Sequence, residues 1–204
     1  MFKLYGRKNT GSSAAEALLA RCGATYSVIN VEKMDAAAFL KVSPRGEVPA
    51  LQLPDGSVMT ESAAIMIHLA DCFPAAGLAP ALGTSGRATY LRWMIYLSAN
   101  AYNSDLRMYY PERFSTNPAH APAINERAIQ HLNRDFDIFA DGLGAGPFVL
   151  GDKMTAVDIY AAMLLTWSND VEGLLKRHPK LNALYAAVSA DPVVRKVWDS
   201  HGMR

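Results

Sequence analysis

Two junctions in the first third of the chain combine residue types that could hold a small polar ligand. At the first, Glu61 and Ser62 follow a strand-like segment and precede an apolar helix-like segment over 63–70. The first backbone amides of a helix are unpaired and carry positive partial charge, so the Ser62 hydroxyl and nearby amides could receive a carboxylate. The simpler interpretation is that Thr60, Glu61 and Ser62 only cap the helix.

The second junction is the dipeptide Val48-Pro49, at the start of a strand-like segment over 48–53. A proline at a strand edge interrupts the hydrogen-bonding ladder, which leaves the N–H and C=O of Val48 free to pair with an extended ligand as an added strand would. The simpler interpretation is an ordinary trans proline that begins an edge strand.

The composition narrows the partners that these junctions could bind. The chain has 204 residues, half of them hydrophobic, and 20 basic against 19 acidic residues give it a net charge of +1. This balance predicts no broad attraction to nucleic acid or to an anionic membrane. No stretch approaches the roughly 20 apolar residues of a membrane span, and the apolar run at the N-terminus is too short for a signal peptide. We therefore expect a cytoplasmic protein that binds a small molecule.

The two cysteines, Cys22 and Cys72, lie inside and just past apolar helix-like segments. Neither has a CxxC partner or the spacing of a metal ligand, so we expect reduced thiols and no metal site.

The elements that must position both junctions change character near Gly83. Before it, strand-like and helix-like segments alternate in the order βαβαββα, and Asp55-Gly56 predicts a tight hairpin between the last two strands. After it, the pattern is helical throughout and begins with one long amphipathic segment from Thr84 to Tyr110. We predict three parts: an α/β domain over 1–76, a linker over 77–83 and an all-α domain over 84–204.

Four stretches of the chain resemble the glutathione transferase family in its bacterial form. Three of them match the family's glutathione-binding signature in order and spacing: 44–51 (PRGEVPAL), Asp55-Gly56 and 60–65 (TESAAI). The fourth, 151–160 (GDKMTAVDIY), resembles the signature of the family's second domain. The resemblance covers nearly the whole chain. It implies a thioredoxin-like first domain, an all-helical second domain, glutathione as co-substrate and a homodimer.

The resemblance also assigns roles at both junctions. Val48 and Pro49 would hold the cysteine of glutathione, and the bond between them would be cis. Ser62 would bind the γ-glutamyl carboxylate, and Glu61 would face the α-ammonium group. The charged side chains that could hold the glycine end are Lys33, Lys41 and Arg45.

A transferase must lower the pKa of the glutathione thiol, because the thiolate is the nucleophile and a thiol with a pKa near 8.5 is mostly protonated at pH 7. Aligning the first strand with that of the family places Thr10 at the usual serine position and Gly11 where some bacterial members carry cysteine. The loop has no cysteine, which disfavours a mixed-disulfide mechanism. We predict Thr10 as the first catalytic candidate, Ser12 as the second and Tyr5 as the third, although Tyr5 fits a packed strand position equally well.

The second domain contributes two further groups of residues. Six positions on its first helix could line a pocket for an apolar electrophile: Tyr102, Asn103, Asp105, Leu106, Arg107 and Tyr110. Thr155 and Asp158 have the spacing of a capping box, for which we predict a purely structural role.

The resulting prediction is a glutathione transferase whose substrates are glutathione and a small hydrophobic electrophile. Two alternatives stay open at this point. One is a glutathione-dependent peroxidase, reductase or isomerase, although the serine-serine-cysteine sequence of the maleylacetoacetate-type isomerases is absent, because Ala14 follows Ser12-Ser13. The other is a non-catalytic member of the same fold that binds a ligand or another protein.

Overall fold

The first part of the chain forms a four-stranded sheet with three helices in the predicted order βαβαββα. A computed structural model describes residues 1–203. The elements of this part are β1 (Phe2–Gly6), α1 (Ser12–Arg21), β2 (Tyr26–Asn30), α2 (Ala36–Val42), β3 (Ala50–Gln52), β4 (Val58–Met59) and α3 (Ser62–Cys72).

The sheet has the strand order β2-β1-β3-β4. Strands β1 and β2 are parallel, whereas β3 pairs antiparallel with both β1 and β4. Because side chains alternate along a strand, Leu4 of β1 packs into the large core with α1 and α3, and its neighbour Tyr5 points to the opposite face. There Tyr5 packs with Phe39 of α2 and Ala50 of β3.

The second part of the chain is helical. Its elements are α4 (Ser85–Tyr96), α5 (Tyr102–Tyr109), α6 (Ala121–Asp141), α7 (Ala156–Leu165), α8 (Val171–Arg177), α9 (Pro179–Ala190) and α10 (Pro192–His201). The long helix predicted over Thr84 to Tyr110 contains a π-helical turn, Leu97–Ala101, which separates α4 from α5. A π turn accommodates one extra residue, and the broad amphipathic pattern does not reveal such a local shift. Within residues 1–203, no helix is long and apolar enough to cross a membrane.

Helix α7 lies at the centre of the second part, and all ten of its residues are buried. Thr155 and Asp158 form a capping box at its start. Oδ2 of Asp158 accepts hydrogen bonds from the backbone N–H of Thr155 (2.7 Å) and from its hydroxyl (2.8 Å). The sequence did not indicate a third bond, in which Oδ1 of Asp158 accepts from the N–H of Val149 at 2.7 Å. The carboxylate therefore joins α7 to the loop that precedes it.

Polar contacts fix the two parts of the chain against each other. Arg87 of α4 donates two hydrogen bonds to Asp71 of α3, at 2.6 and 2.7 Å, across the segment predicted as a linker. At the other end of the first part, Glu16 of α1 contacts Nε2 of His201 at 2.8 Å. Any site between the two parts is consequently built on elements that are joined by direct contacts.

Candidate functional site

A cleft of about 600 Å³ lies between the two parts of the chain. One wall comes from the α2–β3 loop and the start of α3, and the other from the π turn, α5 and the short helical turn that follows it. The residues that line it are Ser43, Pro44, Arg45, Glu47, Val48, Pro49, Thr60, Glu61, Ser62, Ser98, Tyr102, Asn103, Leu106, Arg107, Arg113 and Phe114.

Val48 presents its backbone to this cleft. The Val48-Pro49 peptide bond is cis, as the family resemblance implied. Strand β3 begins only at Ala50, and the N–H and C=O of Val48 have no hydrogen-bond partner within residues 1–203. An extended ligand could therefore pair with this residue as a short added strand.

The start of α3 forms the adjacent part of the cleft. Glu61, which lines the cleft, has a φ of +65°, a left-handed conformation that is uncommon outside glycine, and Ser62 is the first residue of the helix. The Ser62 hydroxyl lies 2.8 Å from the phenolic oxygen of Tyr160 in α7. Burial raises the pKa of Tyr160 to about 12, so this phenol stays protonated at neutral pH and can donate to Ser62. Ser62 is thereby held in place by the second part of the chain.

Thr10 lies in the loop between β1 and α1, and Ser12 is the first residue of α1, but the hydroxyl groups of both are engaged within this segment. The Thr10 hydroxyl donates to the backbone oxygen of Arg7 at 2.9 Å, and the Ser12 hydroxyl donates to the same oxygen at 2.9 Å. The two hydroxyl oxygens are also 2.9 Å apart. Neither residue lines the cleft. Both therefore stabilise the shape of the loop as the structure stands.

Tyr5 also lies away from the cleft. Its side chain is 8% exposed, and its ring centroid is 6.5 Å from that of Phe39, on the α2 face of the sheet. The structure thus places Tyr5 in the packed strand position that the sequence left open.

Tyr102, the first residue of α5, reaches across the cleft to the first part of the chain. A Cβ atom built on Gly11 would lie 2.8 Å from the Tyr102 hydroxyl and 3.2 Å from Cδ of Pro49. The Tyr102 ring stacks on Tyr160 with centroids 6.4 Å apart and meets the edge of Trp167 at 5.3 Å. Burial raises the pKa of the Tyr102 phenol well above its usual value, and the nearby Gly11 backbone opposes that effect.

Two family models match the chain. The model described as "Glutathione S-transferase, N-terminal domain" matches residues 12–72, and the one described as "Glutathione S-transferase, C-terminal domain" matches residues 122–187. Together they span more than half of the chain. The chain belongs to the glutathione S-transferase family.

Individual relatives extend over nearly the full length of this glutathione S-transferase family member. The uncharacterized GST-like protein YncG of Escherichia coli K12 is 29% identical, with 97% of each chain covered. A glutathione transferase from Methylococcus capsulatus has a TM-score of 0.85 at 29% identity, with 99% of each chain covered. A sphingomonad glutathione S-transferase solved in complex with glutathione has a TM-score of 0.82 at 26% identity, covering 99% of this chain and 100% of the other. These matches confirm the predicted thioredoxin-like and helical domains.

The cationic side chains around the cleft of this family member differ from the predicted set. Lys33 is exposed in a short helical turn before α2 and does not line the cleft. Arg45 lines it, but its guanidinium donates to both carboxylate oxygens of Glu47, at 2.9 and 3.3 Å. Arg113 lines the cleft and was not predicted, because it lies beyond Tyr110, where the predicted amphipathic segment ends. Its guanidinium lies 4.1 Å from the centroid of the Tyr110 ring.

The six positions predicted for an electrophile pocket are divided by the structure. Tyr102, Asn103, Leu106 and Arg107 line the cleft, and the Arg107 guanidinium donates to Oδ1 of Asn103 at 2.6 Å. Tyr110 does not line the cleft, and its ring packs against the Arg113 guanidinium. Asp105 points into the interior instead of into the cleft. Sequence periodicity could not separate these cases, because it does not fix the rotation of a helix that contains a π turn.

Asp105 is an unusual interior residue. It is 2% exposed, and neither oxygen of its carboxyl group has a hydrogen-bond partner among residues 1–203. Burial raises its pKa well above the usual value for aspartic acid. Within residues 1–203, no group of three or more His, Cys, Asp or Glu side chains is placed to share a metal ion.

Proposed function

We propose that this protein is a glutathione transferase that activates the glutathione thiolate for attack on a small hydrophobic electrophile. The proposal is carried by one observation, which is that the free backbone of Val48 and the first turn of α3 at Ser62 open into the same cleft. Glutathione is an extended tripeptide with a carboxylate at each end. A strand edge beside a helix N-terminus therefore fits its backbone and one of its carboxylates.

Each part of glutathione has a partner in this arrangement. The N–H and C=O of Val48 pair with the central cysteine, next to Pro49. The Ser62 hydroxyl and the first amides of α3 bind the γ-glutamyl carboxylate. Glu61 accepts a hydrogen bond from the α-ammonium group. Arg45 is the nearest of the predicted cations for the glycine carboxylate, and it would have to exchange part of its pairing with Glu47.

The opposite wall of the cleft suits an apolar electrophile. Tyr102, Leu106 and Phe114 supply hydrophobic surface, and the ring of Phe114 lies 4.9 Å below the Arg107 guanidinium. In the reaction the thiolate sulfur forms a bond to an electrophilic carbon, and the leaving group or the opened ring oxygen takes the electron pair. The cleft brings the two reactants together, which by itself accelerates a bimolecular step.

A glutathione-binding module without transferase activity is the second candidate. It is favoured by the loop geometry, since the protons of Thr10 and Ser12 are both used inside the loop. Assays with an aryl halide, an organic peroxide and an epoxide separate the possibilities. Turnover of the halide or the epoxide supports a transferase, turnover of the peroxide alone indicates a peroxidase, and no turnover despite glutathione binding supports the module.

We expect Ser62→Ala to weaken glutathione binding about tenfold, because it removes a hydrogen bond to a charged carboxylate. Isothermal titration calorimetry measures the change. Tyr160→Phe removes the contact between the same two hydroxyl groups but keeps the Ser62 hydroxyl, so it should weaken binding less than Ser62→Ala does. Unchanged affinity in Ser62→Ala would contradict this binding mode. Failure of the wild-type protein to bind glutathione at millimolar concentration would refute the proposed function altogether.

We further propose that the protein is a homodimer, as its family resemblance implies. Ile95 on α4 and Ile138 on α6 are large apolar side chains that are 54% and 37% exposed. Light scattering coupled to size-exclusion chromatography measures the mass directly, and a mass near the 22.2 kDa of one chain would refute this proposal.

A further inference from the structure

We propose that the hydroxyl group of Tyr102 donates the hydrogen bond that stabilises the glutathione thiolate. This inference rests on the proposed function, since it requires glutathione in the cleft. It transfers the activating role from the β1–α1 loop of the first domain to the first residue of α5 in the second domain.

The position of the hydroxyl group is the first observation. A side chain at residue 11 would begin beside the Tyr102 oxygen, because a Cβ atom built on Gly11 would lie only 2.8 Å from that oxygen. The Cβ atom built on Gly11 would also lie 3.2 Å from Cδ of Pro49. If Val48 pairs with the cysteine of glutathione, its sulfur lies close to Pro49. The phenol thus comes from the far wall to the place where the thiolate is expected.

The second observation is that the hydroxyl proton of Tyr102 is free, whereas those of Thr10 and Ser12 are already donated. The Tyr102 hydroxyl lies beside Gly11 but makes no hydrogen bond to it or to any other group of residues 1–203. Its proton is therefore available to a ligand in the cleft, which Tyr102 lines. Thr10 and Ser12 differ, because each donates its proton to Arg7 within the loop and would have to break that bond to reach a thiolate.

The third observation is that the phenol is held rigidly. Its ring is stacked on Tyr160, which is fully buried, and it is met edge-on by Trp167 at an interplanar angle of 90°. Trp167 is in turn fixed to the β1–α1 loop, since its indole N–H donates to Oδ1 of Asn9 at 3.0 Å. A donor that is oriented before the ligand binds stabilises developing or resident negative charge with little reorganisation.

The chemistry requires only a hydrogen bond. The phenol keeps its proton, because burial holds its pKa well above neutrality, and it shares that proton with the sulfur. A hydrogen bond to the charged form of a thiol favours ionisation and lowers its pKa. The thiol proton itself leaves to solvent, and no bond of the tyrosine is broken.

The test compares Tyr102→Phe with the wild-type protein and with Tyr96→Phe. Tyr96 precedes the π turn in α4, and its hydroxyl donates to Asp135, away from the cleft. We expect Tyr102→Phe to retain glutathione affinity within a few-fold and to lose about 100-fold in kcat with an aryl halide at pH 6.5, the effect of removing one such donor. The ultraviolet absorbance of the bound thiolate should titrate at a higher pH, and the rate should partly recover as pH rises. Tyr96→Phe should show neither change.

Gly11→Ala provides a second test that keeps the phenol. Its new methyl group would push the hydroxyl away, so we expect the same rise in thiol pKa with circular dichroism unchanged. A full rate and an unchanged thiol pKa in Tyr102→Phe would overturn the inference, as would loss of glutathione binding in that variant alone. A wild-type protein that binds no glutathione would refute the proposed function itself, a result distinct from either.

Discussion

Replacing Asp158 with alanine is expected to lower the free energy of unfolding by about 3 kcal/mol or more at pH 7.5. The carboxylate accepts bonds from two backbone N–H groups and one hydroxyl, all buried, and each buried donor left unpaired costs about 1–3 kcal/mol. For a chain of this length the melting temperature should fall by about 10 °C. Urea unfolding followed by circular dichroism measures the difference.

Asp152→Ala is the matched control for this experiment. Asp152 belongs to the same segment but is exposed, and the change should alter stability by less than about 0.5 kcal/mol. Thr155→Ala should cost about 1 kcal/mol, the usual value for a helix N-cap. If Asp158→Ala kept its stability and lost only glutathione affinity, the structural role of the capping box would be wrong.

Replacing Asp105 with asparagine is expected to stabilise the protein increasingly as pH rises. The folded-state pKa of Asp105 is raised by burial above the unfolded value near 4, so ionisation penalises the folded state only above that pH. The wild-type protein therefore loses stability as pH rises from the unfolded pKa to the folded pKa. The gap between the two proteins should widen by up to about 1.4 kcal/mol per pH unit in that window and should be small near pH 4.

Denaturant unfolding of both proteins at several values between pH 4 and pH 8 tests this expectation. Asp158, whose pKa burial raises to about 6, also titrates in this window but is present in both proteins and cancels in the difference. The charge of Asp105 contributes to the raised pKa values of three nearby phenols, those of Tyr102, Tyr109 and Tyr160. Asp152→Asn, the same change at an exposed residue, is the control. A constant difference across the range would contradict a buried, unpaired carboxyl group.

The state of Asp105 also affects the proposed site. The residue follows Tyr102 by three positions, so the two lie on neighbouring parts of one helix surface. An ionised Asp105 would oppose a thiolate held at the Tyr102 hydroxyl. A protonated Asp105 removes that repulsion, and burial favours the protonated form. The buried carboxyl group of Asp105 is thus compatible with an anion in the cleft.

Much of the fold could be predicted because local signals agree with it. The Asp55-Gly56 pair lies between β3 and β4, where the sequence predicts a tight hairpin. The capping box could be predicted because its two partners are three residues apart in the sequence. The π turn could not be predicted, since one additional residue leaves the hydrophobic pattern almost unchanged. The bond from Val149 to Asp158 joins a loop to a helix and leaves no sequence signal.

The site could be predicted only where its residues are close together in the sequence. Val48 with Pro49, and Glu61 with Ser62, are local pairs, and all four line the cleft. The contact between Ser62 and Tyr160, and the approach of Tyr102 to Gly11, join residues about 90 or more positions apart. The sequence showed the hydroxyl groups of Thr10 and Ser12 but not that Arg7 accepts both of them.

The π turn between α4 and α5 makes this stretch of helix tolerant of a change in length. A π turn holds one residue more than the α-helical turn it replaces, so the helix that follows keeps its orientation when the extra residue is lost. Loss of one residue within 97–101 would therefore leave a regular helical turn, with Tyr102 still beside Gly11. Loss of one residue within α5 after Tyr102 would instead turn the later positions by about 100° around the helix axis. Among relatives of this protein, we expect one-residue gaps to fall within 97–101 rather than within α5.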